Sequence, residues 1–169
     1  MRKLTAILSL CLALVAGGCG SDDAETTAAK PEPGFIVLPG APEKRFAKIS
    51  GGEGGEQPKL DPSASPVPKK PIARDLEVGD GRVAHWGDTV AIYYFGANYE
   101  TGKRQYYRWP PQEELVFKLG EDGHGDPWDE GIEGMKVGGR RELVIPAGPR
   151  ALPDPIDYLV ELVRVEPTG

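Results

Sequence analysis

Few side chains in this sequence are equipped for bond-making chemistry. Its 169 residues include only 2 histidines and 2 cysteines. No cluster of His, Asp and Glu has metal-ligand spacing, so no metal or other cofactor is expected. No Ser/His/Asp set can be assembled, and there is no phosphate loop. His85 reads as a surface residue. His124, alone between glycines, reads as an exposed loop residue, a polar group in a pocket or a pH-sensitive group. The net charge of −6 argues against nucleic acid, which would need a basic face. What remains is aromatic: almost all the rings lie beyond residue 70, several of them on strand-like alternations.

The elements that must position those rings are short. Glycine (23) and proline (17) together are about twice as frequent as average, which rules out a helical bundle or coiled coil. Period-2 patterns run through 89–94 (Val90, Ile92 and Tyr94 on one face) and 115–119 (Leu115, Phe117 and Leu119). A short apolar run at 142–145 and the alternation over 158–165, with Tyr158, Val160 and Leu162 on one side, complete the strands. Turn signals at Val78-Gly79-Asp80-Gly81, Thr101-Gly102 and Val137-Gly138-Gly139 separate them. One segment changes period. Asp126 can cap a helix, Pro127 suits its first position, and Trp128, Ile132 and Met135 fall on one helical face. Gly131 and Gly134 keep that helix short. The pattern predicts an α+β domain, a mostly antiparallel sheet with one helix on a face, and Trp128 directed between the two.

Before this domain lie two stretches of different character. Arg2 and Lys3 precede an uncharged run, Leu4 to Ala16, too short to span a membrane. Ala16-Gly17-Gly18 then leads to Cys19. Residues 1–18 resemble a bacterial lipoprotein signal peptide, with Cys19 the residue to be lipidated; an ordinary secretory signal is the plainer alternative. Cys11 would be removed with the signal, leaving no partner for a disulfide. Two or more acyl chains on Cys19 would anchor the protein stably to a membrane. Residues 19–70 are rich in Gly, Pro, Ser, Ala, Lys and Glu and are expected to form a disordered, lipid-anchored linker. Within it, the apolar run Phe35-Ile36-Val37-Leu38 reads as sticky linker, with an added strand or a partner-binding peptide as alternatives.

The domain at 71–169 resembles an FKBP-type peptidyl-prolyl cis-trans isomerase. The resemblance rests on VGDG at 78–81, GDTVAIYYFG at 87–96, TGK at 101–103, FKLG at 117–120, PWDEGIEGMKVGGRRELVIP at 127–146 and YLVELVRV at 158–165. It implies a curved antiparallel sheet wrapped around one short α-helix, preceded here by the disordered tether. It also implies catalysis without covalent chemistry. Rotation about X–Pro faces a barrier of about 18–20 kcal/mol from amide resonance. A pocket that strips water from the imide and prefers its twisted form lowers that barrier, about tenfold in rate for each 1.36 kcal/mol.

Carried onto this sequence, the resemblance makes Trp128 the indole floor of the pocket, with Tyr94 and Tyr158 as catalytic walls. Leu115, Tyr106 and His124 would complete the substrate-binding surface. At each of these strand positions plain core packing is the competing reading. The chain also departs from the family pattern. Gln105 and Tyr106 stand where a phenylalanine and an aspartate are usual, His124-Gly125 replaces a Val-Ile pair, and the loop between Ile145 and Ile156 lacks the usual tyrosine. The expectation is an isomerase of extracytoplasmic proteins, monomeric, held at the cell envelope through Cys19, with proline-containing polypeptides as partners and no nucleic acid. The alternatives are a catalytically weakened module that binds proline-containing or apolar segments as a chaperone would, and a structural envelope lipoprotein.

Overall fold

The computed structural model describes residues 36–37, 43–121, 126–148 and 152–168. The expected signal, Cys19 and His124 lie outside them. In chain order the elements are β1 (Ile36–Val37), a 3-10 turn (Glu43–Arg45), β2 (Lys48–Ser50), β3 (Lys59–Asp61), β4 (Ile72–Glu77), β5 (Thr89–Asn98), β6 (Arg104–Arg108), β7 (Leu115–Lys118), α1 (Asp126–Ile132), β8 (Arg140–Ile145) and β9 (Ile156–Glu166).

The main sheet runs β1-β4-β8-β9-β5-β6, antiparallel except for β1 against β4. Strand β5 is long enough to take two partners on one edge. Its first half pairs with β7 and its second half with β6. The helix is as short as its glycines predict. It already includes Asp126, one residue earlier than the capping pattern implies, and Pro127 is tolerated because the first turn needs no donor from it. Gly134 closes it with φ of 78°, a left-handed conformation that favours glycine. Trp128, Ile132 and Met135 pack with Val90, Ile92 and Leu162 in a core between helix and sheet.

The other face of the sheet corrects the predicted boundary. The segment 19–70 was expected to be disordered, yet from Glu43 onward it is part of the folded domain. Strands β2 and β3 form a hairpin. Phe46, Ala47 and Leu60 are buried against the side of the sheet that the helix does not cover. Ala47 and Leu60 join Phe95, Ala97, Trp109 and Leu159 in a second core, and Phe46 joins Ile72, Tyr99 and Val144 in a third. The glycine-rich stretch after β2 is part of the hairpin's turn, with Gly51, Gly52, Gly54 and Gly55 all at positive φ. The serines after it donate to the Lys44 carbonyl. The run around Phe35–Leu38 is also not plain linker: Ile36 and Val37 pair in parallel with Ile72 and Ala73, the added-strand alternative. Composition concealed all this because few apolar residues are involved and they have no period.

A buried polar knot fixes the start of the segment. The Ala47 N–H donates to Glu142 Oε1 at 2.8 Å and to Asp157 Oδ2 at 3.2 Å. Arg74 donates to Glu142 Oε2 at 2.7 Å and to the Ala47 carbonyl at 3.1 Å, with its guanidinium 4.6 Å from the centre of the Phe46 ring. Glu142 and Asp157 are both almost fully buried. Desolvation, and then the Glu142 charge, hold the Asp157 carboxyl well above the usual carboxylate range; desolvation also raises Glu142, with Arg74 opposing it. One proton shared between two acids is the state this geometry favours.

Two tests follow from this knot. A carboxyl whose folded-state pKa is raised contributes stability below the ordinary carboxylate range and loses it as pH rises toward the raised value. The urea midpoint should therefore fall as the pH is raised above the ordinary carboxylate range of about 4. In Asp157→Asn, which keeps a donor but has no proton to lose, that fall should be smaller; an equal fall would assign the dependence elsewhere. Phe46→Ala should cost about 3–5 kcal/mol in denaturant unfolding, whereas a disordered linker residue would cost almost nothing.

Candidate active site

The helix-facing side of the sheet gathers the predicted rings. Residues paired across antiparallel strands point to the same face. Tyr106 on β6, Gly96 on β5 and Tyr158 on β9 form one such row, and Arg108, Tyr94 and Val160 form the next. The glycine is a steric requirement. A Cβ at position 96 would lie 2.5 Å from Tyr158 Cε1, so the missing side chain leaves room for the Tyr158 ring. Tyr106 and Tyr158 then stack across the gap, 6.5 Å apart at 29°.

Helix α1 brings Trp128 to the same place. Its ring lies 4.6 Å from that of Tyr158 at 70° and 5.5 Å from that of Tyr94 at 84°, and Tyr94 and Tyr158 are 6.3 Å apart at 67°. Edge-to-face pairs of this kind contribute about 0.5–1.5 kcal/mol each beyond burial. Leu115, half-buried on β7 opposite Ile92, packs against the same core. Exposure rises outward, from 6% at Tyr158 and 8% at Trp128 to 39% at Tyr106, so the cluster opens to solvent on the Tyr106 side. Of the predicted site residues, Tyr94, Trp128, Tyr158 and Tyr106 form one chain of ring contacts and Leu115 adjoins it. Burial, then the nearby Tyr106 and Tyr94, raise the Tyr158 phenol above its ordinary range, so it stays a neutral hydroxyl throughout physiological pH.

Two positioning residues escaped the sequence reading. Gly96 was visible only as the end of an alternating run. Arg141 looked like one charge in a basic pair, but it is buried. Its Nη1 donates to the carbonyls of Gly131 at 2.9 Å and Glu133 at 3.2 Å, while Nε donates to Asp75 Oδ1 at 2.6 Å. The last turn of the Trp128 helix is thereby tied to β8 and β4, with a cation at the end where helix carbonyls lack partners. Strand β6 was also missed, although Arg104-Gln105-Tyr106-Tyr107-Arg108 carries β-prone tyrosines.

Fold and ring contacts together define a mostly antiparallel sheet with one short helix on a face and an aromatic cluster between the two. The model of the FKBP-type peptidyl-prolyl cis-trans isomerase family matches residues 81–150. An "FK506-binding protein" of Streptomyces anulatus is 41% identical over 92 residues, which cover 54% of this chain and 74% of that protein. A "Probable FK506-binding protein" of Corynebacterium glutamicum is 38% identical over 91 residues, 54% of this chain and 75% of that protein. The crystal structure of FkpA from Escherichia coli superposes with a TM-score of 0.50 at 30% identity, over 59% of this chain and 50% of that one. The chain belongs to the FKBP-type peptidyl-prolyl cis-trans isomerase family.

The row through Gly96 gives a direct test. Gly96→Ala should force the Tyr158 ring aside and lower kcat/KM for X–Pro isomerisation by about tenfold or more, since small misplacements in a site are costly. Near-UV circular dichroism should change with it while the far-UV signal is kept. Unaltered kinetics would show that the ring's position is immaterial.

Proposed function

We propose that this protein isomerises X–Pro bonds of extracytoplasmic polypeptides at the ring cluster around Trp128, tethered to a membrane through a lipidated Cys19. The observation that carries the pocket assignment is the mutual contact of Tyr94, Trp128 and Tyr158 on the helix-facing side of the sheet. The proline ring rests against the indole, with Tyr94, Tyr158 and Leu115 as walls and Tyr106 at the open side. These groups withdraw water from the imide, which weakens its preference for the planar, charge-separated resonance form and favours the twisted state. No proton need move, which suits the neutral Tyr158 phenol. The extracytoplasmic placement rests on the lipoprotein-like residues 1–19.

One observation favours the second reading, a segment-binding module with weakened catalysis. Tyr106, at the position where the family resemblance leads one to expect an aspartate, stacks on Tyr158 and narrows the open side. The two readings separate in one pair of measurements. The enzyme should accelerate cis–trans exchange of a short Ala-Pro peptide in a protease-free assay, and Trp128→Phe should reduce kcat/KM by about an order of magnitude. A module that only holds its segment should slow aggregation of an unfolded client, lose that ability in Trp128→Phe, and leave the exchange rate at background.

A further inference from the structure

The geometry points to Arg108 as a specificity determinant that favours substrates with a carboxylate side chain beside the proline. This rests on the reading of the Trp128 cluster as the substrate site. Arg108 is the last residue of β6 and is exposed. Its register partner is Tyr94, so its side chain leaves the sheet on the face that carries the ring cluster, next to Tyr94 and two residues from Tyr106. The backbone on either side is pinned from the opposite face. Tyr107 packs 6.4 Å from Phe95, with the Arg104 guanidinium 4.4 Å from the centre of its ring, and Trp109 is only 2% exposed in the second core. Arg108 is therefore a long cationic side chain on a fixed base at the rim.

Its charge is also uncommitted. Arg74, Arg140, Arg141 and Arg164 each face a carboxylate. Among the described residues Arg108 faces none. Asp154, which approaches β6, does so through the Gln105 amide at 3.2 Å. In a chain of net charge −6 a free guanidinium beside the site is a local reversal of sign. A planar fork of donors suits a carboxylate that is presented as the proline settles on the indole. A lysine in the substrate at the same place would be repelled.

The test compares peptides that differ only in charge: Glu-Pro against Gln-Pro, and Pro-Glu against Pro-Gln, in the full-length protein. For at least one of the two positions kcat/KM should favour glutamate by roughly two- to fivefold at low ionic strength, as expected of an exposed ion pair, and the preference should shrink in high salt. Arg108→Gln should bring the ratio to about one and Arg108→Glu should invert it. Binding of the same peptides, followed by indole fluorescence, reads the same ratios whether or not turnover occurs. Glu/Gln ratios that are equal in wild type and both variants, alongside normal turnover or binding of the glutamine peptides, would overturn the role of Arg108 alone. A failure to accelerate or to bind any of the four would overturn the substrate site, and the Arg108 assignment with it.

Discussion

Double burial of strand β5 is the constraint on which the rest of the structure depends. Its alternate residues serve two cores: Val90 and Ile92 with the half-buried Tyr94 on the helix side, Phe95 and Ala97 on the other. Its neighbour β9 repeats the pattern, with Tyr158, Leu159 and Val160 all buried. A strand held on both faces has little freedom to slip, because a shift of one residue would exchange the two sets. The site inherits this rigidity. Tyr94 and Gly96 flank Phe95, Tyr158 adjoins Leu159, and Tyr106 and Arg108 flank Tyr107. Every side chain at the candidate site that comes from β5, β6 or β9 alternates with one packed on the far side.

The hairpin at 48–61 therefore belongs to the site's support even though it lies on the opposite face of the sheet. It supplies Leu60 and, with the preceding Ala47, closes a surface that a helix on one side alone would leave wet. The knot of Arg74, Glu142, Asp157 and Ala47 is the polar counterpart. Two buried acids cost much more than they return unless they share a proton and meet donors, and here they meet both a guanidinium and a backbone N–H. Such an arrangement adds little net stability compared with an apolar patch, but it ties the incoming segment at Ala47 through both its N–H and its carbonyl.

How much of this was legible follows from which forces were local. The helix was readable because Trp128, Ile132 and Met135 recur at one spacing and Gly134 ends it. The ring cluster was readable because β5 and β9 alternate. The folded tether was not, since Phe46, Ala47 and Leu60 are isolated apolar residues in a Gly/Pro-rich background, and their partners are distant in sequence, with the acids that hold the Ala47 N–H 95 and 110 residues away. Alternation on β9 was visible, but nothing local showed what covers its second face, because that cover lay in a stretch that composition marks as disordered. Gly96 and Arg141 were unreadable for a related reason, as each acts on a ring or a helix end supplied by another element.

For rotation about an imide, this division of labour has a consequence. The chemistry asks for no reactive group, only for a low-polarity surface that keeps its shape while the substrate changes shape. A loosely packed aromatic cluster would relax around the planar ground state as readily as around the twisted form and would gain no selectivity between them. Stiffness behind such a surface is thus a functional requirement, and in this protein the ring cluster of the proposed site is backed by the covered far face of the sheet, where Phe95, Leu159 and Trp109 are packed and limit how far the strands that carry the rings can yield.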